Sequence, residues 1–490
     1  MFVLMSIRKN LVYNFILTLS QVLLPLVSIP YVSRVLDPEG IGRVSFIDSF
    51  TYYFIFIAEF GIIIYGIREV AKLRNDKPAR DKLVSELLTL HLVTSSIALL
   101  IYGIAVAVLW QKIGDIRLLL FSLSYLLVNS FACEWYFMGM EKFRYITLRS
   151  LITRMLALAS LFVLVREKED YYLYYAIMVV AAIVNLVWND INLFRTVTIS
   201  FRNNSWRKHI RHTVITNAIN LTFGITLLLD NVLLRLVSSA AAVGLYAFSV
   251  KILRTTTLLI TDSLQVFFPR IVALKKEGNE ERMQDVMQKN LQLLIFFAVP
   301  MCMGIALLAG PVVRLFLGSK FDMAVQNVQL LCLFPLLKSL SLFCCNQVLI
   351  AHHKERQALI SLLIGNGLFI PVALFLGWQW QDSGAAIALL SAELMVLILS
   401  YRYASKVIPS LKLIDLKGWS QALLGSVLFI PVIALLRWYD AGDAVLVLAG
   451  VPLCILLYAG AQLFLLRNPF AIDLRQWAFN RISSGVIKEQ

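Results

Sequence analysis

Apolar stretches of about twenty residues recur along the whole chain, and nothing else in the sequence limits its folding so strongly. A helix rises 1.5 Å per residue, so about 20 apolar residues cross the ~30 Å hydrocarbon layer of a bilayer. Fourteen such stretches are readable, at about 10–33, 44–66, 84–110, 117–140, 146–165, 172–194, 213–236, 242–269, 290–313, 325–350, 357–377, 383–403, 419–437 and 444–466. Of the 490 residues, 59% are apolar and 15% charged, where a soluble domain has about 45–50% and about 25%. The sequence predicts an all-α polytopic membrane protein with about 14 transmembrane helices. It excludes a disordered chain, a disulfide scaffold and a multi-domain soluble enzyme.

The net charge of +15 raises the question of nucleic acid, and its distribution answers it. Basic loops come at alternate turns, so that 31 of the 45 Lys and Arg fall on one side, ten on the other and four inside spans. That asymmetry orients helices at insertion and makes the basic side cytoplasmic. With an even number of spans, both termini are expected in the cytoplasm. No soluble basic patch is present, so no nucleic-acid partner is expected.

The six cysteines sit in apolar runs and read as small core residues. Cys344-Cys345 followed by His352-His353 lacks the ligand spacing of a metal site, so neither a metal nor another cofactor is expected. Arg8 and Lys9 precede an apolar run too long for a signal peptide, which ends at Ser33-Arg34 without a cleavage site; it reads as a retained first span. No Walker-type motif occurs, and the outward loops are too short for a membrane polymerase or ligase. A transporter rather than an enzyme remains the leading class.

An internal repeat supports it. Gly42 to Arg68 and Gly244 to Arg270 are intervals of equal length, each opening on a polar turn and closing on a basic segment with Val-Ala (Val70-Ala71, Val272-Ala273). Parallel duplicated halves place a substrate site between them and alternate access by rocking.

Polar residues inside the spans mark candidate cavity positions. Asn10, Asn14, Gln21 and Ser28 form one stripe on the first span. The seventh span carries Asn217 and Asn220. Such stripes line a cavity or serve as interhelical hydrogen-bond glue. On the eighth span, Lys251, Arg254, Thr255 and Asp262 share a face. Two cations one turn apart in a membrane repel each other, so an anion is expected beside them, either a substrate phosphate or acidic side chains. Asp48 and Glu59 on the second span, also on one face, are candidates for the latter and, with Asp262, for ion coupling. Glu134 and Arg154 are at matching depths across a hairpin and read as a structural ion pair. Lys338 either pairs with Glu393 or adds to a cationic cavity. His91 and Glu86, near the cytoplasmic end of the third span, carry little weight. Cations, amides and aromatics together fit an amphiphilic anion such as a phosphate-bearing lipid or glycan.

Several segments resemble the polysaccharide (O-antigen-type) flippases of the multidrug/oligosaccharidyl-lipid/polysaccharide exporter superfamily. They are Pro30-Tyr31-Val32-Ser33-Arg34-Val35-Leu36-Asp37-Pro38-Glu39-Gly40-Ile41-Gly42, Glu134-Trp135-Tyr136-Phe137-Met138-Gly139-Met140-Glu141-Lys142, Val243-Gly244-Leu245-Tyr246, Phe268-Pro269-Arg270, Leu317-Gly318-Ser319-Lys320-Phe321 and Ile350-Ala351-His352-His353-Lys354-Glu355. Asp37 replaces a usual glycine and Met138 a usual glutamine. The resemblance implies a V-shaped pair of six-helix lobes, 1–195 and 196–403, with two extra helices and a tail in 404–490. It implies translocation of an undecaprenyl-diphosphate-linked oligosaccharide to the periplasmic leaflet of the bacterial inner membrane. It also implies a diphosphate held by cavity cations: Lys251, Arg254 and Arg34, with Lys338 as a further candidate. Membrane lipid and polysaccharide polymerase machinery are the partners it brings. A lipid-linked peptidoglycan precursor flippase and an ion-coupled multidrug efflux antiporter are the alternatives.

Overall fold

The computed structural model describes residues 2–201, 205–265, 267–409, 413, 416–473 and 475–476; side chains at 2–12, 14, 15, 18, 22, 215–228 and 263 lie outside the description. Among the described residues the ordered elements are all helical, and ten helices are long and apolar enough to cross a membrane. The chain divides into two compact units, Met1–Ala247 and Phe248–Gln490.

The first unit contains α1 (Phe2–Val35), α2 (Pro38–Glu59), α3 (Ile62–Lys72), α4 (Lys77–Ile113), α5 (Ile116–Asn129), α6 (Glu134–Gly139), α7 (Phe143–Leu164), α8 (Tyr171–Thr196), α9 (Arg207–Val237) and the start of α10 (Ala240–Gln265). Aspartates start several of these helices. Asp37, Asp76 and Asp115 accept from the backbone N–H of Gly40, Ala79 and Arg117 at 2.7, 3.0 and 2.9 Å. Each takes up a donor that the first helical turn leaves without a partner. Proline stands in the first turn of α2 and α4, where its missing N–H costs nothing.

Asp115 is further held by Arg117, at 3.1 Å, and by the Tyr171 hydroxyl, at 2.6 Å. Burial pushes its carboxyl up, but these hydrogen bonds outweigh it and leave the group below the usual carboxylate range. The stabilisation is present above the unfolded carboxyl's pKa and is lost as pH falls through the lower folded one.

The interior of this unit is aromatic: Phe50 contacts Phe46, Phe54 and Tyr102 at 6.0, 5.0 and 5.4 Å between ring centroids. The exterior is apolar as well. Leu100, Ile104 and Val108, one turn apart along α4, are 71%, 67% and 75% exposed, which suits a helix face turned to lipid.

The second unit holds the rest of α10, then α11 (Phe268–Lys276), α12 (Glu280–Leu317), α13 (Ala324–Leu330), α14 (Phe334–Leu342), α15 (Glu355–Val407), α16 (Leu416–Val427), α17 (Phe429–Trp438), α18 (Asp443–Leu448) and α19 (Gly450–Gly460). π-Helical turns follow α14 at Phe343–Leu349 and α19 at Ala461–Leu465. The α15 run is two spans joined at Gln381, whose φ of 52° breaks the helix. A Cβ on Gly384 would come 2.0 Å from the Leu376 carbonyl oxygen, so only glycine permits this tight reversal. The division between the units falls inside α10, with α9 packed on α2 in the first unit.

Candidate functional site

The α10 stripe is the most concentrated set of polar groups that the sequence placed inside a span. Lys251, Arg254 and Thr255 are half-buried and Asp262 is exposed. The Thr255 hydroxyl donates to the Lys251 carbonyl at 2.8 Å, which ties it to its own helix. On α1, Gln21 is exposed. Arg34 ends that helix and donates to the Pro30 carbonyl at 2.6 Å, as a cation in a last turn can. The side chains of Asn10, Asn14, Asn217 and Asn220 lie outside the described residues.

Asp48 and Glu59 are half-buried on α2. Glu59 is the last residue before a break, with Phe60 and Gly61 both at positive φ (47° and 74°). The span read as continuous at 44–66 is therefore two helices, α2 and α3. Near the break, the Ala58 carbonyl accepts from the Thr94 hydroxyl of α4 at 2.6 Å. A broken helix with a satisfied backbone at membrane depth is how transport proteins build ion sites.

One expected pairing changes. Glu134 pairs with Arg149, not with Arg154; Arg154 donates to Ser20 of α1 at 2.6 Å. The predicted span 117–140 breaks at 130–133, so Glu134 opens the short α6, and the residue level with it across the turn lies in the second turn of α7. Lys338 forms a 2.7 Å ion pair with Glu393, which is almost fully buried. Its charge is paired inside the second unit, which is the structural one of the two alternatives.

The sequence reading missed other groups. Asp230, in the span of Asn217 and Asn220, is 1% exposed and accepts from the Tyr246 hydroxyl at 3.3 Å. Beside it, Asn231, already readable in the sequence further out on the span of Asn217 and Asn220, donates to Ser49 of α2 at 3.0 Å. An acidic residue inside the apolar run 213–236 was the available signal. Glu86, given little weight, is the centre of a buried cluster. It takes Lys208 at 2.7 Å and His209 Nε2 at 2.9 Å, while His209 Nδ1 meets the Tyr65 hydroxyl at 2.8 Å. No spacing rule joins residues so far apart in the chain.

The repeat has a physical counterpart. A Cβ on Gly42 would lie 1.7 Å from the Ala240 carbonyl oxygen, and one on Gly244 1.9 Å from the Pro38 carbonyl oxygen. The same chain offset separates Pro38 from Ala240 and Gly42 from Gly244. The contact is thus reciprocal, as in a two-fold interface, with backbone against backbone at the starts of α2 and α10.

An all-helical membrane fold with equivalent helices crossing at glycine, broken spans and intramembrane charges defines a multi-pass transport protein. More narrowly, the chain belongs to the polysaccharide biosynthesis protein family, whose profile matches residues 7–275. It is 26% identical over 411 residues to a protein of Escherichia coli (strain K12) named as a candidate O-antigen transporter, covering 80% of this chain and 95% of the relative. A protein of the same name from Shigella dysenteriae is 20% identical over 405 residues, covering 80% and 98%. Among solved structures, a lipid II flippase, MurJ, in an inward closed conformation aligns with TM-score 0.70 at 15% identity over 95% of this chain and 99% of that one. An inward-facing multidrug resistance transporter of the MATE family aligns with TM-score 0.62 at 15% identity, over 80% and 96%. These two share the fold.

Proposed function

We propose that the chain is a flippase that moves a prenyl-diphosphate-linked oligosaccharide from the cytoplasmic to the periplasmic leaflet of the inner membrane by alternating access. The observation that carries the reading is the half-buried pair Lys251 and Arg254 on one face of α10. Intramembrane cations are costly, about 2.5–3.5 kcal/mol each on insertion scales, and mark substrate pathways. The relatives named as candidate O-antigen transporters support the glycan side of the assignment.

In this mechanism the two cations replace the water around the diphosphate, and nearby amides and hydroxyls replace the water around the sugars. The prenyl tail stays in the bilayer. No bond is made or broken. Arg34, at the outer end of α1, receives the headgroup on the far side. Asp48, Glu59 and Asp262 are the carboxylates that couple the cycle to an ion gradient. Both termini face the cytoplasm, and the polysaccharide polymerase machinery removes product outside.

Complementation tests this reading. Expression in a strain lacking its glycan flippase is expected to restore surface glycan. Lys251→Ala and Arg254→Ala, inserted at normal levels, each lower it at least about tenfold, since a hydrogen bond to a charged group contributes about 1.5–3 kcal/mol. Full export by both variants removes the anion site. Rescue of a peptidoglycan-precursor flippase mutant instead reassigns the cargo, and drug resistance without glycan export returns the chain to efflux.

A further inference from the structure

The second unit contains a cavity of about 510 Å³ beside the last turns of α10, within the range of about 300–1,000 Å³ typical of small-molecule sites. Thr261, Gln265, Asn346 and Gln347 give it a polar wall, and Leu264 and Phe268 are among its apolar residues. No charged side chain is among its described lining. A phosphate would need cations there, and an ion-coupling site would need carboxylates. A neutral, polyhydroxylated ring needs what is present: amides for its hydroxyls and an apolar floor for its C–H face.

Its backbone is specialised. Asn346 and Gln347 lie in the π-helical turn Phe343–Leu349, a wider winding frequent at functional sites. Gln347 is 2% exposed and fixed from both ends: it accepts from the buried Asn290 amide and donates to the Leu264 carbonyl at 2.8 Å. That carbonyl, in the last turn of α10, also accepts from the Phe267 backbone N–H at 3.2 Å. The rigid Gln347 thus leaves its neighbour as the adaptable group. Asn346 is half-buried in a membrane-spanning segment, and its side-chain amide has no hydrogen-bond partner among the described residues. An amide at such depth is stabilised only when something bonds to it.

We propose that this cavity is a glycan subsite that holds one neutral sugar of the lipid-linked substrate, with Asn346 and Gln265 bonding its hydroxyls. The proposal rests on the flippase reading and adds a position to it. Gln265 follows Arg254 by eleven residues, which keeps it on the same α10 stripe about 16 Å further along the axis. The sugar held here is therefore separated from the diphosphate by other sugars, and the first sugar lies out of reach.

The test uses the full chain in proteoliposomes with two substrates: a prenyl diphosphate bearing one sugar, and the same lipid bearing a complete oligosaccharide repeat. Asn346→Leu and Gln265→Leu keep volume and remove the amide. Each is expected to slow oligosaccharide transport by roughly 2–10-fold, the value of one neutral hydrogen bond, and to leave the single-sugar lipid unchanged. Lys251→Ala slows both substrates. Gln265 is exposed, so its variant keeps the test open if the Asn346 variant inserts poorly. Unchanged oligosaccharide transport in both leucine variants, or equal losses on both substrates, overturns the subsite while the flippase reading stands. A wild type that moves neither lipid removes both.

Discussion

Arg149 shows how a membrane interior treats a charge. Its side chain is 2% exposed and pairs with Glu134, whose own side chain is 39% exposed. The two are therefore not equivalent when the pair is broken. Glu134→Gln strands a buried guanidinium that already has unpartnered Nε and Nη1 atoms, and the expected cost is about 3–5 kcal/mol. Arg149→Met leaves a carboxylate that is only partly enclosed by the protein, so it costs less. Unfolding of the two variants in detergent checks the order; an equal loss, or a larger one for Arg149→Met, refutes it. The residues of this network were legible in the sequence, because an ionisable group in an apolar run needs a reason. Their pairing was not. Matching depths assumed an unbroken span, and the break at 130–133 changed which α7 residue lies level with Glu134.

Elements were read well wherever a span is one helix, and less well wherever a span is two. The stretch 44–66 divides at Phe60 and Gly61, 117–140 at 130–133, and 325–350 passes through a π-helical turn. Hydropathy sees all of these as continuous, since a broken helix buries the same apolar side chains. Gly61 was the only local sign of the first break, and nothing in Phe343–Leu349 announces a π turn. The repeat, in contrast, was visible as equal spacing and appears in space as the reciprocal contact of Gly42 and Gly244. That crossing has no room for a methyl group. Gly244→Ala is expected to push the starts of α2 and α10 apart, because the obstructing Pro38 atom is a backbone carbonyl oxygen, which cannot swing aside as a flexible side chain would. A cysteine placed at Ser238, on the turn between α9 and α10, then reacts faster with a maleimide in Gly244→Ala than in the glycine parent. Equal rates would mean the crossing absorbs the methyl by a local shift.

For the whole molecule, the question is what drives net movement, since a flippase without an energy source only equilibrates its lipid between leaflets. In the proposed alternating-access cycle, coupling requires a group whose charge differs between the two access states and which sits where a helix can move. Asp262 lies exposed on α10 and Asp48 within the unbroken part of α2, whereas Glu59 sits at the junction of α2 and α3, where two consecutive positive-φ residues interrupt the span. A proton or cation arriving there acts on the angle between two helix segments. A ligand shifts such an equilibrium only by its differential affinity for the two states, so removing the charge should remove the shift and leave the path. Glu59→Gln is therefore expected to flip lipid-linked glycan at the unenergised basal rate and to lose the acceleration that an imposed ion gradient gives the parent. A fluorescent lipid-linked glycan in proteoliposomes, with and without the gradient, reads both quantities. Retained acceleration in Glu59→Gln transfers the role to Asp48 or Asp262. An energised rate that matches the basal rate in the parent as well means that removal of product outside the cell, not an ion, drives the cycle.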